Sequence, residues 1–210
     1  MTSELEREIG MDQNIKAVLF DFGGVIAEEG FLEGVQAIGI QNGLDPKEFF
    51  SVVDDLIYET GYLIGTADEA RFWNTVRSRT GIVGNNESLK REILNRFVIR
   101  PHMLSDVDSL RRGGVKVAML SDQTNWLDEI NNETLLFQHF DQVFNSYHIH
   151  KSKRDASVFI DVCSAIDTPL EQTLFIDDNV NHIIRAQSRG LKTIHFITRK
   201  EFERRLQDYL

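Results

Sequence analysis

Acidic side chains stand at two places in the sequence where an apolar run ends. Asp21 follows the run KAVLF and precedes Gly23 and Gly24, and the pair Asp177 and Asp178 follows the run TLFI. Adjacent carboxylates repel each other unless a cation or a basic group lies beside them, and Mg²⁺ prefers such oxygen ligands. The two glycines either form an ordinary turn at the strand end or allow a ligand to approach the backbone closely, which would make Gly24 a binding position.

A hydroxyl and a basic segment supply further candidate groups. Ser121 follows the apolar run VKVAML, where its hydroxyl could either donate to an anionic oxygen or cap the next helix. The segment Lys151–Arg154 carries three cations in an otherwise acidic chain. This segment is either a solvated loop or the source of one lysine that faces the carboxylates.

Short apolar runs predict the strands that would position these groups. Gln142–Asn145 is a weak candidate, and four runs are typical of strands buried on both faces: Lys16–Phe20, Val115–Leu120, Thr173–Ile176 and Lys192–Phe196. Helical periodicity between the later strands covers Leu104–Arg112, Trp126–Phe137, Ala156–Ile166 and Val180–Arg189. This alternation predicts a parallel sheet covered by helices on both faces, and such sheets bind ligands at the carboxyl ends of their strands.

The segment 28–99 differs from the rest because it has helical signals and no convincing buried strand. Asp45–Pro46 predicts a helix cap followed by proline at the first helical position, and Thr66–Glu69 predicts a capping box. We therefore predict an α/β fold with a doubly wound parallel sheet and an inserted helical cap domain at residues 28–99. The core would comprise residues 15–27 and 100–210, and the polar residues 1–14 would form a flexible leader.

Composition excludes several classes of protein. The 210 residues include 33 acidic side chains and 23 Lys or Arg, a net charge of −10, which argues against partners such as nucleic acid or an anionic membrane. The single cysteine, Cys163, cannot form an intramolecular disulfide and suits a reducing compartment. No apolar run approaches the roughly 20 residues of a membrane span. We expect a cytoplasmic monomer or homodimer.

In combination and in this order, the motifs FDFGGV, LSD, Lys153 and FIDDN resemble those of the haloacid dehalogenase-like hydrolase superfamily. The resemblance covers almost the whole sequence, from about residue 15 to about residue 200. It implies that Asp21 is a nucleophile that forms an aspartyl-phosphate, that Ser121 binds the phosphoryl group, and that Lys153 steadies both. It also implies an Mg²⁺ site formed by Asp21, the backbone carbonyl of Gly23, Asp177 and Asp178. The inserted helices match caps that close over the site and contact the leaving group.

Gly23 departs from the pattern, because most phosphatases that the sequence resembles carry there a second aspartate, which acts as general acid and base. Loss of a general acid typically costs about 10²–10⁴ in rate. Three explanations remain open: a substrate with a good leaving group, such as a sugar 1-phosphate or an acyl phosphate; displacement of halide, which needs no proton; or a protein that has lost catalysis. Dehalogenases of the superfamily work without metal, so Asp177 and Asp178 favour a phosphatase.

Asp122 and the choice between two lysines add further questions. A carboxylate beside a phosphate is unfavourable unless it is protonated, turned away or bound to the metal, and Asp122 could also replace the missing acid. The spacing from Ser146 and to Phe159 favours Lys153 over Lys151 as the lysine of the site.

The sequence therefore predicts an Mg²⁺-dependent phosphatase for a small phosphorylated metabolite, with a sugar phosphate among the candidates. Catalysis would rest on Asp21, Ser121 and Lys153, and substrate contacts would come from Gly24, Ser121, Asp122 and Lys153. The alternatives are a 2-haloacid dehalogenase that uses Asp21 without metal, and a catalytically weak binding or regulatory protein.

Overall fold

A computed structural model describes residues 15–209 of the chain, and its centre is a five-stranded sheet. The spatial order is β3-β2-β1-β4-β5, and each adjacent pair is parallel. The strands are β1 (Ala17–Phe20), β2 (Lys116–Ser121), β3 (Gln142–Asn145), β4 (Thr173–Asp177) and β5 (Lys192–His195). The chain builds outward from β1 in one direction and then in the other, which confirms the doubly wound parallel sheet.

The central strands are apolar throughout because both faces of the sheet are covered. Val18 and Phe20 of β1 belong to one buried cluster, whereas Ala17 and Leu19 belong to the other. Side chains alternate between the two faces of a strand, so each face needs its own apolar residues. This explains why the strand signal in the sequence is a continuous apolar run.

Residues 15–209 contain ten α-helices. Four lie between β1 and β2: α1 (Gly30–Gln41), α2 (Pro46–Glu59), α3 (Glu69–Thr80) and α4 (Asn86–Leu94). The others are α5 (Pro101–Arg112), α6 (Trp126–Thr134), α7 (Ser146–Ile149), α8 (Ser157–Ala165), α9 (Val180–Gln187) and α10 (Arg199–Gln207). Short 3₁₀ segments cover Leu136–His139 and Leu170–Gln172. None of the helices in the described part of the chain is long and apolar enough to span a bilayer.

Local capping signals gave one correct and one wrong prediction. Asp45 caps α2 by accepting from the backbone N–H groups of Lys47 and Glu48, both at 2.9 Å. The expected capping box at Thr66 is wrong, because Asp68 caps α3. The hydroxyl of Thr66 instead donates to the carbonyl of Gly61 and closes the preceding turn.

The ends of the helical insertion lie side by side. Ala27 and Ile99 form an antiparallel bridge, supported by hydrogen bonds from Glu28 N to Val98 O and from Arg100 N to Ile26 O, both at 2.9 Å. The chain therefore leaves and re-enters the core at one place. The proposed domain limits at 28 and 99 stay a prediction, and the predicted leader at residues 1–14 lies outside the described residues.

Candidate active site

The strand order brings the predicted site residues to one edge of the sheet. The register pairs Phe20 of β1 with Ile176 of β4, so that Asp21 and Asp177 follow at the same level. Ser121 ends β2, on the other side of β1. A cavity of about 470 Å³ opens at this edge, and its polar part includes Asp21, Gly23, Ser121, Lys153 and Asp178.

The ammonium group of Lys153 lies between two carboxylates. Its Nζ is 2.8 Å from Asp21 Oδ1 and 2.7 Å from Asp177 Oδ2, and the Lys153 side chain is 1% exposed. Burial alone would lower the pKa of Lys153, but the charges of Asp177 and Asp21 reverse the effect and raise it above its ordinary value. Lys153 is therefore a fixed positive charge beside Asp21.

The structure distinguishes Lys153 from its neighbour Lys151. The Nζ of Lys151 pairs with Asp161 and donates to Ser157 Oγ at 3.0 Å. Lys151 is not among the residues that line the cavity. Of these two lysines, Lys153 contacts Asp21 and Lys151 contacts Asp161.

The pKa values of the two carboxylates beside Lys153 are shifted in opposite directions. Burial raises the pKa of Asp21 well above its ordinary value, the charge of Lys153 opposes this, and the charges of Asp177 and Asp178 add to it. Burial would also raise the pKa of Asp177, but the charge of Lys153 and the hydrogen bond from His182 hold it below its ordinary value. Asp177 is thus the anchored anion, whereas Asp21 lies in a site with too much negative charge.

The residues around this site fit a hard cation. Asp21, Asp177 and His182 each offer a ligand atom, and these atoms lie within 4.8 Å of one another. Asp178 lines the same cavity, and burial followed by the charge of Asp177 raises its pKa. Two carboxylates contact the ammonium of Lys153 and a third, that of Asp178, lines the same cavity, so a divalent cation would relieve the excess of negative charge.

Gly24 determines where the Asp178 carboxylate can lie. Gly24 has a φ of +75°, and a Cβ at this position would fall 2.0 Å from Asp178 Oδ2. A side chain at residue 24 would therefore displace the carboxylate. The absence of a side chain at Gly24 thus leaves room for the Asp178 carboxylate. A contact between Gly24 and the substrate stays a prediction.

Asp122 holds the loop that carries Lys153. Its Oδ1 accepts from the backbone N–H of Lys153 at 2.9 Å, and its Oδ2 accepts from the hydroxyl of Tyr58 at 3.4 Å. Asp122 therefore links the end of β2 to the Lys153 loop and to α2. Both Asp122 oxygens therefore already accept hydrogen bonds from the protein. Direct substrate binding by Asp122 stays a prediction.

Two residues of the site were not predicted from the sequence. Glu29 lies beside Gly23, because a Cβ built at Gly23 would be 3.0 Å from Glu29 Oε2. Burial, with the charge of Asp178, raises the pKa of Glu29 to about 7. His182 lies in the first turn of α9, and its Nδ1 is 3.2 Å from Asp177 Oδ2.

Both residues carry weak sequence signals that could have identified them. Glu29 is an acidic residue directly before a helix, a position where caps are usually Ser, Thr, Asp or Asn. In the structure it caps α1 by accepting from Leu32 N at 3.3 Å. His182 lies in the first turn of the helix that follows the Asp177–Asp178 pair, close in sequence to the carboxylates at the strand end. Neither signal is specific without the fold.

A charged and aromatic contact ties α2 to the Lys153 loop. The guanidinium of Arg154 lies 3.3 Å from the centre of the Tyr58 ring and 3.3 Å from Asp54 Oδ2. Nearby, the hydroxyl of Tyr62 donates to Asn125 Oδ1 at 2.6 Å. The helical insertion is thus held against the loops that form the site.

Replacing Lys153 tests the charge balance of this site. In EDTA at pH 8, we expect Lys153→Met to reduce the free energy of unfolding by about 3–5 kcal/mol, because two buried carboxylates lose their partner. The loss should be smaller at pH 5. Without Lys153 the carboxyl pKa values rise, and a raised carboxyl pKa removes stability as pH increases.

The matched control is Lys151→Met, which removes the solvent-facing pair with Asp161. Chemical denaturation of both variants at the two pH values measures the difference. Equal, small effects of the two substitutions would contradict a central electrostatic role for Lys153.

Comparisons with known proteins identify related sequences. Residues 15–188 match the family model of haloacid dehalogenase-like hydrolases. The chain is 26% identical over 196 residues to a sesquiterpene phosphatase of Aspergillus oryzae, a match that covers 88% of this chain and 91% of that relative. It is 28% identical over 158 residues to a drimenol cyclase of Aspergillus calidoustus. That match covers 71% of this chain but only 28% of the cyclase.

Solved structures share the fold. A HAD family enzyme of Bacteroides thetaiotaomicron, solved with magnesium and inorganic phosphate, has a TM-score of 0.66 and 22% identity. The superposition covers 86% of this chain and 93% of that chain. Dehalogenase structures have the same fold as well, so the structural likeness does not separate the two chemistries. The match along residues 15–188 decides the family: the chain belongs to the haloacid dehalogenase-like hydrolases.

Proposed function

We propose that the protein is an Mg²⁺-dependent phosphatase that hydrolyses a small phosphorylated metabolite through an aspartyl-phosphate on Asp21. The observation that carries the proposal is the position of the Asp21 carboxylate, 2.8 Å from the buried ammonium of Lys153 at the end of an open cavity. A nucleophilic carboxylate beside a fixed cation suits attack on an anionic phosphoryl group.

The residues of this chain would divide the reaction into two steps. An oxygen of Asp21 forms a bond to phosphorus while the bond from phosphorus to the leaving oxygen breaks, and that oxygen takes up a proton. Water then attacks the aspartyl-phosphate, releases inorganic phosphate and regenerates Asp21. Lys153 and the hydroxyl of Ser121 hold the phosphoryl oxygens during both steps.

The donor set supports a magnesium site at Asp21, Asp178 and the Gly23 carbonyl, next to Asp177. The oxygens of Asp177 already accept from Lys153 at 2.7 Å and from Asn179 N at 2.7 Å. Asp178 is therefore the better candidate for direct coordination. When bound, Mg²⁺ would neutralise the repulsion between the carboxylates and the phosphate dianion.

Glu29 is our candidate for the proton donor that Gly23 cannot supply. Its Oε2 lies 3.0 Å from the position that a Cβ at residue 23 would take, and burial raises its pKa to about 7, which allows it to be protonated at neutral pH. A general acid is most effective when its pKa lies near the working pH. A poor leaving group would then be usable despite the glycine.

The comparisons support phosphate chemistry more than dehalogenation. A relative whose match covers 88% of this chain is a sesquiterpene phosphatase. The surplus of carboxylates at the site also favours a metal, which the dehalogenases of this superfamily do not need. Dehalogenation remains the second candidate, because halide departure requires no proton donor at Gly23.

The first test measures phosphate release from a panel that includes acetyl phosphate, sugar phosphates and alkyl phosphates, with Mg²⁺ and with EDTA. We expect turnover that requires Mg²⁺ and that falls by about 10³-fold or more in Asp21→Asn, because the nucleophile is lost. Asp161→Asn is the control, since that carboxylate pairs with Lys151. Absence of phosphate release, or metal-independent chloride release from 2-chloropropionate, would contradict the proposal.

The role of Glu29 predicts a dependence on the leaving group. Glu29→Gln keeps an oxygen that can accept from Leu32 N but removes the acidic proton. We expect kcat for butyl phosphate to fall by about 10²-fold, and kcat for acetyl phosphate to fall far less, because acetate leaves without protonation. Equal losses for the two substrates would show that Glu29 does not donate the proton.

A further inference from the structure

The cavity at the candidate active site has two chemically different sides. Its floor comes from the strand ends of the core and is polar. The other side, which we call the apolar wall, comes from the segment 28–99 and consists of Phe31, Leu32, Phe50, Ile57, Leu63 and Phe97. The polar side contains the candidate nucleophile Asp21, and the apolar wall lies opposite it, where it could contact the rest of a substrate.

Part of the apolar wall remains accessible to a ligand. Phe31, Leu32 and Phe50 are only half-buried, and the rings of Phe31 and Phe50 meet edge to face with their centres 6.1 Å apart. Partly exposed apolar side chains around a cavity form a favourable surface for a hydrocarbon group. We take these three residues to be the binding part of the wall.

The segment 28–99 offers few groups that could bind hydroxyls. Apart from Glu29, which faces Gly23, its polar lining residues are Asp54 and Tyr58. Asp54 already pairs with Arg154, and the Tyr58 hydroxyl donates to Asp122. A sugar bound against this wall would leave hydroxyl groups without partners, which is unfavourable.

The cavity also provides cationic charge for a single phosphoryl group. Lys153 is the sole Lys or Arg that lines it within residues 15–209, and its ammonium is already shared by Asp21 and Asp177. A diphosphate would place a second anionic group beside Asp178 and Glu29 without a further cation. The charges therefore favour a monophosphate.

We propose that the substrate is the phosphate monoester of a hydrocarbon-rich alcohol, whose apolar chain lies against Phe31, Leu32 and Phe50. This inference rests on the proposed phosphatase function and names the substrate class for the same site. It replaces the sugar phosphate expected from the sequence as the preferred candidate.

The test is a series of n-alkyl phosphates from butyl to octyl, with glucose 6-phosphate and acetyl phosphate for comparison. Burial of methylenes at about 0.8 kcal/mol each predicts a rise of roughly two- to fourfold in kcat/KM per added methylene. Octyl phosphate should exceed glucose 6-phosphate at least tenfold. A flat series, or a preference for glucose 6-phosphate, would overturn the proposal.

Substitutions in the apolar wall test whether this surface causes the rise in kcat/KM with chain length. Phe50→Asn and Leu32→Asn should reduce the gain per methylene, whereas turnover of acetyl phosphate, which has no chain to bind, reports whether the fold and the chemistry survive. Phe137→Asn is the matched control, because Phe137 is also half-buried but lies outside the cavity. An unchanged series in both wall variants would contradict binding at this surface.

A binding measurement tests the substrate class independently of the phosphatase activity. Calorimetric titration of Asp21→Asn with the same alkyl phosphates in Mg²⁺ measures affinity without turnover. If no phosphate is released from any compound, the phosphatase proposal fails, and the titration still decides the substrate class. Affinity that rises with chain length supports the apolar wall, and affinity independent of chain length overturns it.

Discussion

The buried ammonium of Lys153 is the constraint on which the site depends. A charge that is 1% exposed is tolerated only with close partners, and here Asp21 and Asp177 provide them at 2.8 and 2.7 Å. Those partners come from β1 and β4, which must therefore be neighbours. The lysine itself comes from a loop that Asp122 holds through the Lys153 N–H. Sheet order, loop position and the ionisation of Asp21 are thus parts of one electrostatic arrangement.

The loop that carries Lys153 also contacts the inserted helices. Arg154 follows Lys153 directly, stacks on Tyr58 and pairs with Asp54 of α2. A displacement of α2 would break these contacts and disturb the loop that places Lys153. The arrangement also explains the two-sided cavity, because residues that form the polar floor are fixed by the sheet, whereas the insertion contributes mainly apolar side chains.

Features of the chain that depend on local pattern could be predicted from the sequence. Strands such as β1 are apolar on both faces, and Asp45–Pro46 is a self-contained start signal for α2. Features that depend on tertiary contacts could not. Thr66 closes a turn with Gly61 instead of capping α3, and α10, whose single buried residue is Phe202, has too little apolar periodicity to be recognised. Glu29 reaches the site only because the chain folds back beside Gly23.

The most direct test of the account is to identify the nucleophile. The protein would be mixed with acetyl phosphate and Mg²⁺, quenched in acid within the first turnover, digested and analysed by mass spectrometry. We expect phosphate on the peptide that contains Asp21, and no phosphopeptide from Asp21→Asn. Phosphate release without any phosphopeptide, or modification of another residue, would contradict the central role assigned to Asp21 beside Lys153.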